Sequence, residues 1–540
     1  MNSNNEQTPM KASVICNTSA DRYTKLFQVI SDLFNIEFQF FGEYPQHVDY
    51  PLILLDASEE ILRVARKCGT PFISYLSRQG SSPKTTSDVV NFSSSKFLPQ
   101  LLRGQSMLTK EAKDLNEIRI SEPFEVLAQV QGLPIWVVSS RHKNQYYTSV
   151  SLPDFENENR LCEFFNGETF LKLLPLYCFF RFSVCRSLWE PPPMRSCIIV
   201  DDPNLHWSSY GPINYRDLLG YCNKHNIHIA FATIPLDGWY VHPKTAGIFR
   251  ENDRHLSLLV HGNNHSKGEL ARPKQQDEAL NYFAQSLHRI KRMEVTSGLS
   301  VDCAMVPPHG LVSKATALVL SQLGFEAICT NRWSLWQHIK PWELSSNFGM
   351  EPAGFLADNM PVLNRFRMVS PICRNEIIIA ALLGIPIIPY CHVADFANSF
   401  SEIEKTVSFI NKFEQVCWLS ISEILRSNYS GSQIDNILRV RAYSNKIKIM
   451  TPINTLWLQI ELPITRNDLE PSKKLFILPP ARNGQKEYIC GDKIPVEPGR
   501  QYEISIINHL TFNIDMLPKP TFDYQALLRR IGTELRDRFL

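Results

Sequence analysis

The chain has 540 residues, of which 44% are hydrophobic and 20% are charged. This composition is typical of a folded globular protein and excludes an intrinsically disordered chain, and the length favours about two to four domains. The formal net charge of +2 at pH 7 provides no strong field for attracting a nucleic acid or an anionic membrane, so we predict no nucleic-acid partner.

Three local features predict a cytoplasmic protein without a transmembrane segment. Residues 1–7 contain neither the basic stretch nor the apolar core of a secretory signal. The longest apolar run, residues 377–391, contains one glycine and two prolines and is shorter than a membrane-spanning helix. The 13 cysteines are odd in number and include no C-x-x-C pair, which favours buried thiols in a reducing compartment over a disulfide framework.

Strand-like and helix-like stretches alternate over residues 11–102, which predicts a small, doubly wound parallel α/β domain in residues 1–117. The predicted strands are 12–16, 36–41, 51–55 and 71–76, and the predicted helices are 21–34 and 59–67. The segment has no glycine-rich phosphate-binding motif. We therefore predict that it binds a protein partner or packs against the rest of the chain rather than holding a nucleotide.

Residues 118–193 form a predicted connecting region, with a strand at 133–138 and an aromatic, buried helix at 170–185. A helix that is apolar on all sides is typical of the interior of a folded domain. Three consecutive prolines, 191–193, mark a stiff boundary before the next domain.

Residues 194–428 return to alternating strands and helices, now with longer helices, which predicts an irregular (β/α) barrel. The predicted strands are 196–201, 227–234, 256–261, 301–306, 325–330, 386–392 and 416–421. The predicted helices are 215–225, 273–296, 314–323 and 401–413. Catalytic residues of such barrels lie at the carboxyl ends of the strands, so polar side chains at those positions are the candidates for chemistry.

Residues 429–540 are predicted to form a β-sandwich domain that ends in a helix. The predicted strands are 434–441, 446–450, 457–462, 474–478 and 502–507. The final segment, Tyr524 to Leu540, has the pattern of a charged amphipathic helix, which is more often a docking or solvated face than a functional tail.

Two short segments carry the strongest chemical signal. Asp201 and Asp202 end one predicted strand, and His261 and His265 lie at the end of another. If the two strands are neighbours, one carboxylate and two neutral imidazoles can face a single divalent cation and leave positions open for water. The His-x-x-x-His spacing alone is weak evidence, and the strand context is what makes it informative.

Four motifs in this order make residues 196–426 resemble the NodB-homology polysaccharide deacetylases of carbohydrate esterase family 4, which are metal-dependent hydrolases with an irregular (β/α) barrel. The matching segments are Asp201-Asp202 for the first motif, His261 to His265 for the second, Val306 to Gly310 for the third and Ile387 to His392 for the last. The resemblance does not extend to the flanking domains.

The resemblance implies a division of roles among these residues. Asp202, His261 and His265 would bind the divalent metal, with zinc as the expected ion. Asp201 would take a proton from water as the general base, and His392 would protonate the leaving amine. The alternative interpretation of His392 is a core histidine whose ring nitrogens are satisfied by hydrogen bonds.

The loop of the third motif and its surroundings complete the candidate site. The backbone N–H of His309, next to Pro308, would stabilise the oxyanion, and His206 is close enough in sequence to the aspartate pair to contact the substrate. Two residues depart from the family: Val306 stands where relatives have the arginine that pairs with the catalytic aspartate, and His309 replaces an aromatic residue. Residues 331–333 are the candidate for the fourth motif.

These observations leave three functional hypotheses. The favoured one is a metal-dependent hydrolase that removes an acyl group from an N- or O-acylated, carbohydrate-containing substrate. The second keeps the fold and the metal but replaces the sugar by a small amide or another C–N bond. The third is a catalytically inactive scaffold that binds a glycan or a protein, which Val306 favours because relatives have arginine there.

Overall fold

The computed structural model describes the chain apart from residues 1–9, 17–20, 44–49, 77–84, 114, 157–158, 185–188, 337–338, 341–342, 358–359, 397–399, 414, 464–473, 479–485, 508–512, 520, 522 and 540. The chain forms two compact units, Met1–Leu188 with Arg374–Ile379 and Trp189–Cys373 with Ala380–Leu540. The boundaries of the four predicted domains stay a prediction. Among the described residues, no helix combines the length and the apolar composition that crossing a bilayer would require.

The first unit is built on a nine-stranded sheet. Its strands are β1 (Met10–Cys16), β2 (Ile36–Phe41), β3 (Leu52–Leu55), β4 (Phe72–Tyr75), β5 (Val89–Phe92), β6 (Ser106–Leu108), β7 (Phe124–Val130), β8 (Leu133–Ser139) and β9 (Gln145–Thr148). Its helices are α1 (Asp21–Phe34), α2 (Glu59–Cys68) and α3 (Leu174–Cys178), and a π-helical segment (Phe179–Val184) follows α3.

The strand order in this sheet is β2-β1-β3-β4-β9-β8-β7-β5-β6. Neighbours from β2 to β9 pair in parallel, and the remaining neighbours are antiparallel. Strands β1 to β4 and helices α1 and α2 confirm the elements predicted for residues 12–76. Strands β7 to β9 extend the same sheet from within the predicted connecting region, and the helix predicted there is a short α-helix that continues with π geometry.

The second unit begins with a second α/β sheet. Its strands are β10 (Arg195–Ser196), β11 (Ile198–Asp201), β12 (Ser209–Tyr210), β13 (Ile213–Asn214), β14 (Ile229–Thr233), β15 (Leu256–Val260), β16 (Asp302–Met305), β17 (Ala327–Thr330), β18 (Gly354–Leu356), β19 (Met360–Asn364), β20 (Phe366–Arg367), β21 (Pro389–His392) and β22 (Cys417–Trp418). Its helices are α4 (Tyr215–His225), α5 (Pro243–Glu251), α6 (Gln276–Ser297), α7 (Lys314–Gln322), α8 (Arg332–Trp336), α10 (Ser401–Ile410) and α11 (Ile421–Arg426). Helix α9 (Cys373–Leu383) is divided, because its residues Arg374–Ile379 belong to the first unit.

Nine of these strands form one sheet in the order β18-β19-β17-β16-β15-β14-β11-β21-β20. All neighbours are parallel except β18 and β19. Within the described residues β18 and β20 do not pair with each other, so the sheet is an open half-barrel, an incomplete form of the predicted irregular barrel.

Two details of this sheet differ from the sequence prediction. The strand predicted at 416–421 is the short β22, which pairs with β10 outside the main sheet. Helix α11 starts at Ile421 because Ser420 and Glu423 form a capping box that satisfies the first backbone N–H groups of a helix. Strands β18 to β20 were not predicted, and they carry the chain through residues 354–367.

Both faces of the half-barrel are buried, which is why its strands are apolar throughout. Ile198 and Val200 of β11 pack into a cluster with side chains of α4, α5, α6 and α7. Cys197 and Ile199 face the opposite way and pack with small strand residues and with Ile424 of α11. The strands are therefore held rigidly, and the residues at their carboxyl ends are positioned by the sheet.

The remainder of the second unit contains two four-stranded sheets that share one apolar cluster, the arrangement of a small β-sandwich. The strands are β23 (Tyr429–Ile434), β24 (Ile437–Ala442), β25 (Lys446–Met450), β26 (Trp457–Glu461), β27 (Lys474–Leu478), β28 (Lys486–Ile489), β29 (Lys493–Pro495) and β30 (Gln501–Ile507). The sheet orders are β23-β24-β26-β29 and β25-β30-β27-β28, and the last helix is α12 (Tyr524–Phe539).

Candidate metal centre

The order of strands brings the predicted site residues to one edge of the half-barrel. β11 lies between β14 and β21, and its register places Asp201 opposite His392. β15 pairs with β14 on the other side, so His261, which directly follows β15, lies near the same edge. Parallel strands present their carboxyl ends together, and this is the physical basis of the convergence.

Three site residues have left-handed backbone conformations immediately beyond their strands. The φ angles are 60° at Asp202, 53° at His265 and 59° at His309. Such a conformation costs about 1–3 kcal/mol for a residue other than glycine and is found where the surrounding structure enforces a functional geometry. Seven further non-glycine residues with positive φ lie elsewhere among the described residues, so these angles describe the turns of the site but do not by themselves mark it.

Asp202 and the two histidines form a compact cluster. Oδ1 of Asp202 lies 3.2 Å from Nε2 of His261 and 3.0 Å from Nε2 of His265. One ligand atom from each of the three residues lies within 4.8 Å of the other two. His261 is buried, whereas His265 and Asp202 are partly exposed, so the cluster is open on one side.

The hydrogen bonds of this cluster suit a cation. Nδ1 of His261 donates to the carbonyl oxygen of Val306 at 2.8 Å, which leaves Nε2 of the neutral ring as a lone-pair donor directed at Asp202. Oδ1 of Asp202 is buried and accepts no well-aligned hydrogen bond. Three electron-pair donors therefore face one another, and a divalent cation among them would satisfy all three.

The electrostatics of the cluster favour a positive charge in the same place. Burial acts to raise the pKa of Asp202, but the close approach and charge of the His261 and His265 rings outweigh burial and hold that pKa well below its ordinary value. Burial also acts to lower the pKa of His261, and Asp202 reverses this so that the pKa is raised. Asp202 is therefore an ionised carboxylate, as a metal ligand must be.

A buried carboxylate, Glu269, holds the loop that carries the two histidines. Its Oε1 accepts from the backbone N–H of Asn263 at 2.7 Å, and its Oε2 accepts from the backbone N–H of Asn264 and of Ser266 at 3.2 and 2.9 Å. The hydroxyl of Tyr282 donates to Oε2 at 2.8 Å. The hydroxyl of Ser266 also donates to Oε2, at 3.2 Å, so five donors converge on one carboxylate, which determines the path of the loop between the histidines.

Gly262 is required by this packing. Its φ is +67°, and a Cβ at this position would lie 1.7 Å from Oε1 of Glu269 and 2.8 Å from Cγ of Pro308. A side chain there would displace the carboxylate that shapes the loop. The glycine after His261 is thus explained by a close approach as well as by its backbone angle.

Asp201 is paired with an arginine that belongs to none of the four sequence motifs. Nη1 of Arg365, between β19 and β20, lies 2.6 Å from Oδ1 and 2.8 Å from Oδ2 of Asp201. The guanidinium also lies over the ring of Tyr390, with 4.2 Å to the ring centroid. Val306 occupies the family's arginine position, yet the carboxylate is paired with a guanidinium from a different strand.

His392 lies beside the same carboxylate. Its Nε2 is 4.0 Å from Oδ2 of Asp201, and its side chain is 46% exposed. The backbone N–H of His392 donates to Oδ2 of Asp395 at 2.9 Å, which anchors the end of β21. The exposed ring does not fit the alternative of a buried core histidine.

The third motif lies next to the cluster. The ring of His309 is 5.7 Å from the ring of His265, centroid to centroid. Burial, followed by the charge of His265, lowers the pKa of His309. Among the described residues, the backbone N–H of His309 has no hydrogen-bond acceptor. It is therefore available to a substrate oxygen.

His206 lines a cavity of about 870 Å³ with Asn204 and two tryptophans, Trp207 and Trp239. Nε2 of His206 donates a hydrogen bond to the carbonyl oxygen of Asp237 at 2.8 Å, and this bond fixes the orientation of the ring. The fourth-motif candidate is placed differently. Arg332 is buried and donates to the carbonyl oxygen of Gly349.

Sequence reasoning missed three residues of the site: Arg365, Glu269 and Arg289. Nη1 of Arg289 donates to the side-chain oxygens of Asn263 and Asn264, both at 2.6 Å. Glu269 follows the second histidine by four residues, so its position close to the motif could have indicated that it belongs to the site. Arg365 and Arg289 belong to no motif, and their roles depend on contacts distant in sequence.

Comparisons with known proteins agree with the motif resemblance. No family model matches the chain, and no curated protein matches it. The solved structure of Agd3, described as a novel carbohydrate deacetylase, is 9% identical, covers 93% of this chain and 99% of its own, and has a TM-score of 0.48. A putative polysaccharide deacetylase from Mycobacterium smegmatis is 14% identical, covers 44% of this chain and 90% of its own, and has a TM-score of 0.31.

The predicted resemblance is confirmed. A further similar structure is a mutant of BA3943, a carbohydrate esterase family 4 pseudoenzyme with restored activity, at 10% identity, with coverage of 44% of this chain and 68% of its own and a TM-score of 0.28. At these identities and TM-scores the likeness by itself does not establish an activity for this chain. The evidence for an activity therefore lies in the geometry of the site.

Proposed function

We propose that the chain is a metal-dependent hydrolase that removes an acyl group from an N- or O-acylated, carbohydrate-containing substrate. The observation that carries the proposal is the convergence of Asp202, His261 and His265 on one point, with a second carboxylate and a third histidine beside them. The motif resemblance supplies the reaction class, and the geometry supports it.

Asp202 would hold a divalent cation through Oδ1, and His261 and His265 would hold it through Nε2. One carboxylate oxygen and two imidazole nitrogens suit zinc with positions left open. When bound, the cation supplies the Lewis acidity that makes water a nucleophile at neutral pH. Glu269 holds the histidine loop in place for this purpose.

Asp201 would act as the general base. Its carboxylate lies one residue from the metal ligand Asp202, and Arg365 contacts both of its oxygens. The guanidinium holds the carboxylate in one orientation, which a general base requires. We therefore assign to Arg365 the positioning role that relatives give to the arginine missing at Val306.

His392 would protonate the leaving group, and His309 would bind the oxyanion. The imidazole of His392 lies beside Asp201, and its exposed edge allows exchange of protons with solvent. The backbone N–H of His309 is aimed by a left-handed turn and has no other acceptor among the described residues. Such a donor stabilises the charge that develops on the carbonyl oxygen.

Metal analysis and an acyl-release assay test the proposal together. Purified protein should carry one zinc or similar divalent ion per chain and release acetate from N-acetylated oligosaccharides. His261→Ala should lose both the metal and the activity, whereas His142→Ala, at an exposed histidine of the first unit, should keep both. Normal metal content in His261→Ala would refute the site assignment.

Two alternatives remain as outcomes of the same assay. Turnover of simple or cyclic amides without turnover of acylated sugars would favour a hydrolase for small C–N bonds. Bound metal without turnover of any acylated compound would favour an inactive scaffold. The pairing of Arg365 with Asp201 supports the enzyme over the scaffold, because it supplies the feature whose absence at Val306 favoured inactivity.

A further inference from the structure

The cavity beside the candidate metal centre adjoins the loop that carries the histidine ligands. One of its lining residues, Asn204, follows the metal ligand Asp202 by two positions. Another, Arg289, donates to the side chains of Asn263 and Asn264, which stand between the two histidines. A ligand in this cavity would therefore lie next to the candidate metal centre.

Flat aromatic surfaces form part of the lining. Trp207 and Trp239 are 48% and 58% exposed, so part of each side chain can be reached by a ligand. The ring of His206 lies 4.8 Å from that of Trp239 and is held by the carbonyl of Asp237. Rigid, amphipathic rings of this kind bind sugars by stacking against their apolar C–H faces, at little cost in conformational entropy.

The charged residues that line the cavity carry an excess of positive charge. Among the described residues of the lining, four are cations, Arg289, Arg292, Lys519 and Arg530, and one, Asp237, is an acid. The acid is already paired, because Nε of Arg530 lies 2.7 Å from its Oδ2. Within the described part of the chain, Arg292 and Lys519 make no ion pair, and Arg289 is bonded only to neutral amide oxygens.

Burial, followed by the repulsive charge of neighbouring Arg292, contributes to a lowered pKa of Arg289. The charges of Asp523 and Glu269 act in the opposite direction on the pKa of Arg289, but neither is among the described residues that line the cavity. Oδ1 of Asp523 accepts from the backbone N–H of Ala526. Like charges held close together repel one another, and an anion among the lining cations would relieve that repulsion.

Helix α12 provides one wall of this cavity. The buried pair between Arg530 and Asp237 joins the helix to the loop after β14, and Arg529 donates to the carbonyl oxygen of Asn264 at 2.7 Å. Leu527 and Ile531 present apolar side chains to the cavity. The segment that the sequence predicted as a docking or solvated face is docked at the site.

We propose that this cavity binds the non-reacting part of an acylated saccharide that carries an anionic group, a phosphate or a carboxylate. The anion would lie among Arg289, Arg292 and Lys519, and a sugar ring would stack on Trp207 or Trp239. This inference rests on the proposed function for the position of the acyl group. The excess of cations and the exposed rings are independent of it.

Calorimetric titration of the metal-loaded full chain tests the proposal with three probes. These are N-acetylglucosamine 6-phosphate, a hyaluronan tetrasaccharide, which carries carboxylates, and neutral N-acetylchitotetraose. We expect at least one anionic probe to bind about tenfold more tightly than the neutral one at low salt, and the preference to shrink as ionic strength rises. The probe that binds identifies the anion as phosphate or carboxylate.

A charge-neutralising variant provides the decisive comparison. Arg292→Gln combined with Lys519→Gln should lower the ratio of anionic to neutral affinity about tenfold. Lys274→Gln, at an exposed lysine on the loop before α6, should leave that ratio unchanged. A preference that survives in the double variant, or no preference in the natural protein, would overturn the inference.

Acetate release measured on the same probes separates this inference from the proposed function. Release from the neutral probe without any preference for anions would overturn the anionic ligand and leave the hydrolase standing. A salt-dependent preference for anions without release of acetate from any probe would support the binding site and overturn the hydrolase.

Discussion

Nη1 of Arg365 lies 2.6 and 2.8 Å from the two carboxylate oxygens of Asp201, although the residues are 164 positions apart. Both side chains are 4% exposed, so the pair is shielded from water. The pair determines the orientation of the carboxylate next to Asp202, the proposed metal ligand. A residue outside every recognisable motif thus positions the proposed base.

We predict that Arg365→Lys lowers kcat/KM about a hundredfold, the cost typical of a misplaced catalytic group, and leaves the metal content unchanged. Lysine keeps the charge but cannot reproduce the contact of one guanidinium with both oxygens and with the ring of Tyr390. Acetate release and metal analysis measure the two effects. Loss of metal in this variant would contradict a role limited to Asp201.

The same pair predicts a stability effect. Arg365→Met leaves Asp201 buried without its partner and should lower the free energy of unfolding by about 3–5 kcal/mol. Asp201→Asn combined with Arg365→Met removes both charges and should recover much of that loss, although it stays inactive. Denaturant unfolding of the natural chain, the two single variants and the double variant measures the coupling. Additive losses would show that the two residues do not interact.

Glu269→Gln should weaken metal binding about 10–100-fold, because the loop between His261 and His265 loses a carboxylate that accepts three backbone N–H groups. Competition with a metal chelator measures the affinity. Glu278→Gln, at an exposed position on α6, is the matched control. Equal affinities in the two variants would refute the positioning role.

Gly262→Ala and Gly324→Ala form a matched pair, because both glycines have positive φ but only one is crowded. A Cβ on Gly324 meets nothing within 4 Å, whereas one on Gly262 overlaps the carboxylate of Glu269. We expect Gly324→Ala to cost about 1 kcal/mol in stability and Gly262→Ala to cost about 1–3 kcal/mol more, with loss of metal. Thermal unfolding and metal analysis distinguish them, and similar losses in both would contradict the overlap.

The pH dependence of stability should report on Glu326. Burial acts to raise its pKa, but hydrogen bonds and charge from Arg426 and Lys446 outweigh burial and lower it below the ordinary value of 4.5. A depressed pKa in the folded state means that the stabilisation is complete above the pKa of the unfolded chain. It is lost as the pH falls through the pKa of the folded chain.

Glu326→Gln should therefore reduce the free energy of unfolding by about 1.5–3 kcal/mol at neutral pH, and the difference should shrink as the pH falls below 4.5. Denaturant unfolding across this range measures it. Glu404→Gln, at an exposed position on α10, should show a small difference that does not change with pH. A constant difference for Glu326→Gln would contradict the lowered pKa.

Local sequence determined most of the strands and helices. Helix α4 begins and ends where predicted because Asn214 accepts from the backbone N–H groups of Arg216 and Asp217, and Asn226 ends the helix with a φ of 49°. The start of α11 was equally readable, since Ser420 and Glu423 have the spacing of a capping box, yet the apolar pattern there was interpreted as a strand. Caps and periodicity are local, so they can be read from neighbouring residues.

The sequence by itself also predicted the candidate site residues Asp201, Asp202, His261, His309 and His392, which follow strand-like runs, and His265, which lies four residues after His261. Only the tertiary structure decided that Arg365 pairs with Asp201, that Glu269 accepts hydrogen bonds from the histidine loop, and that α12 forms one wall of the cavity. Those contacts depend on strand order and on which loops meet at one edge of the sheet. Buried polar groups take whichever partner that packing brings within reach, and separation along the chain does not limit the choice.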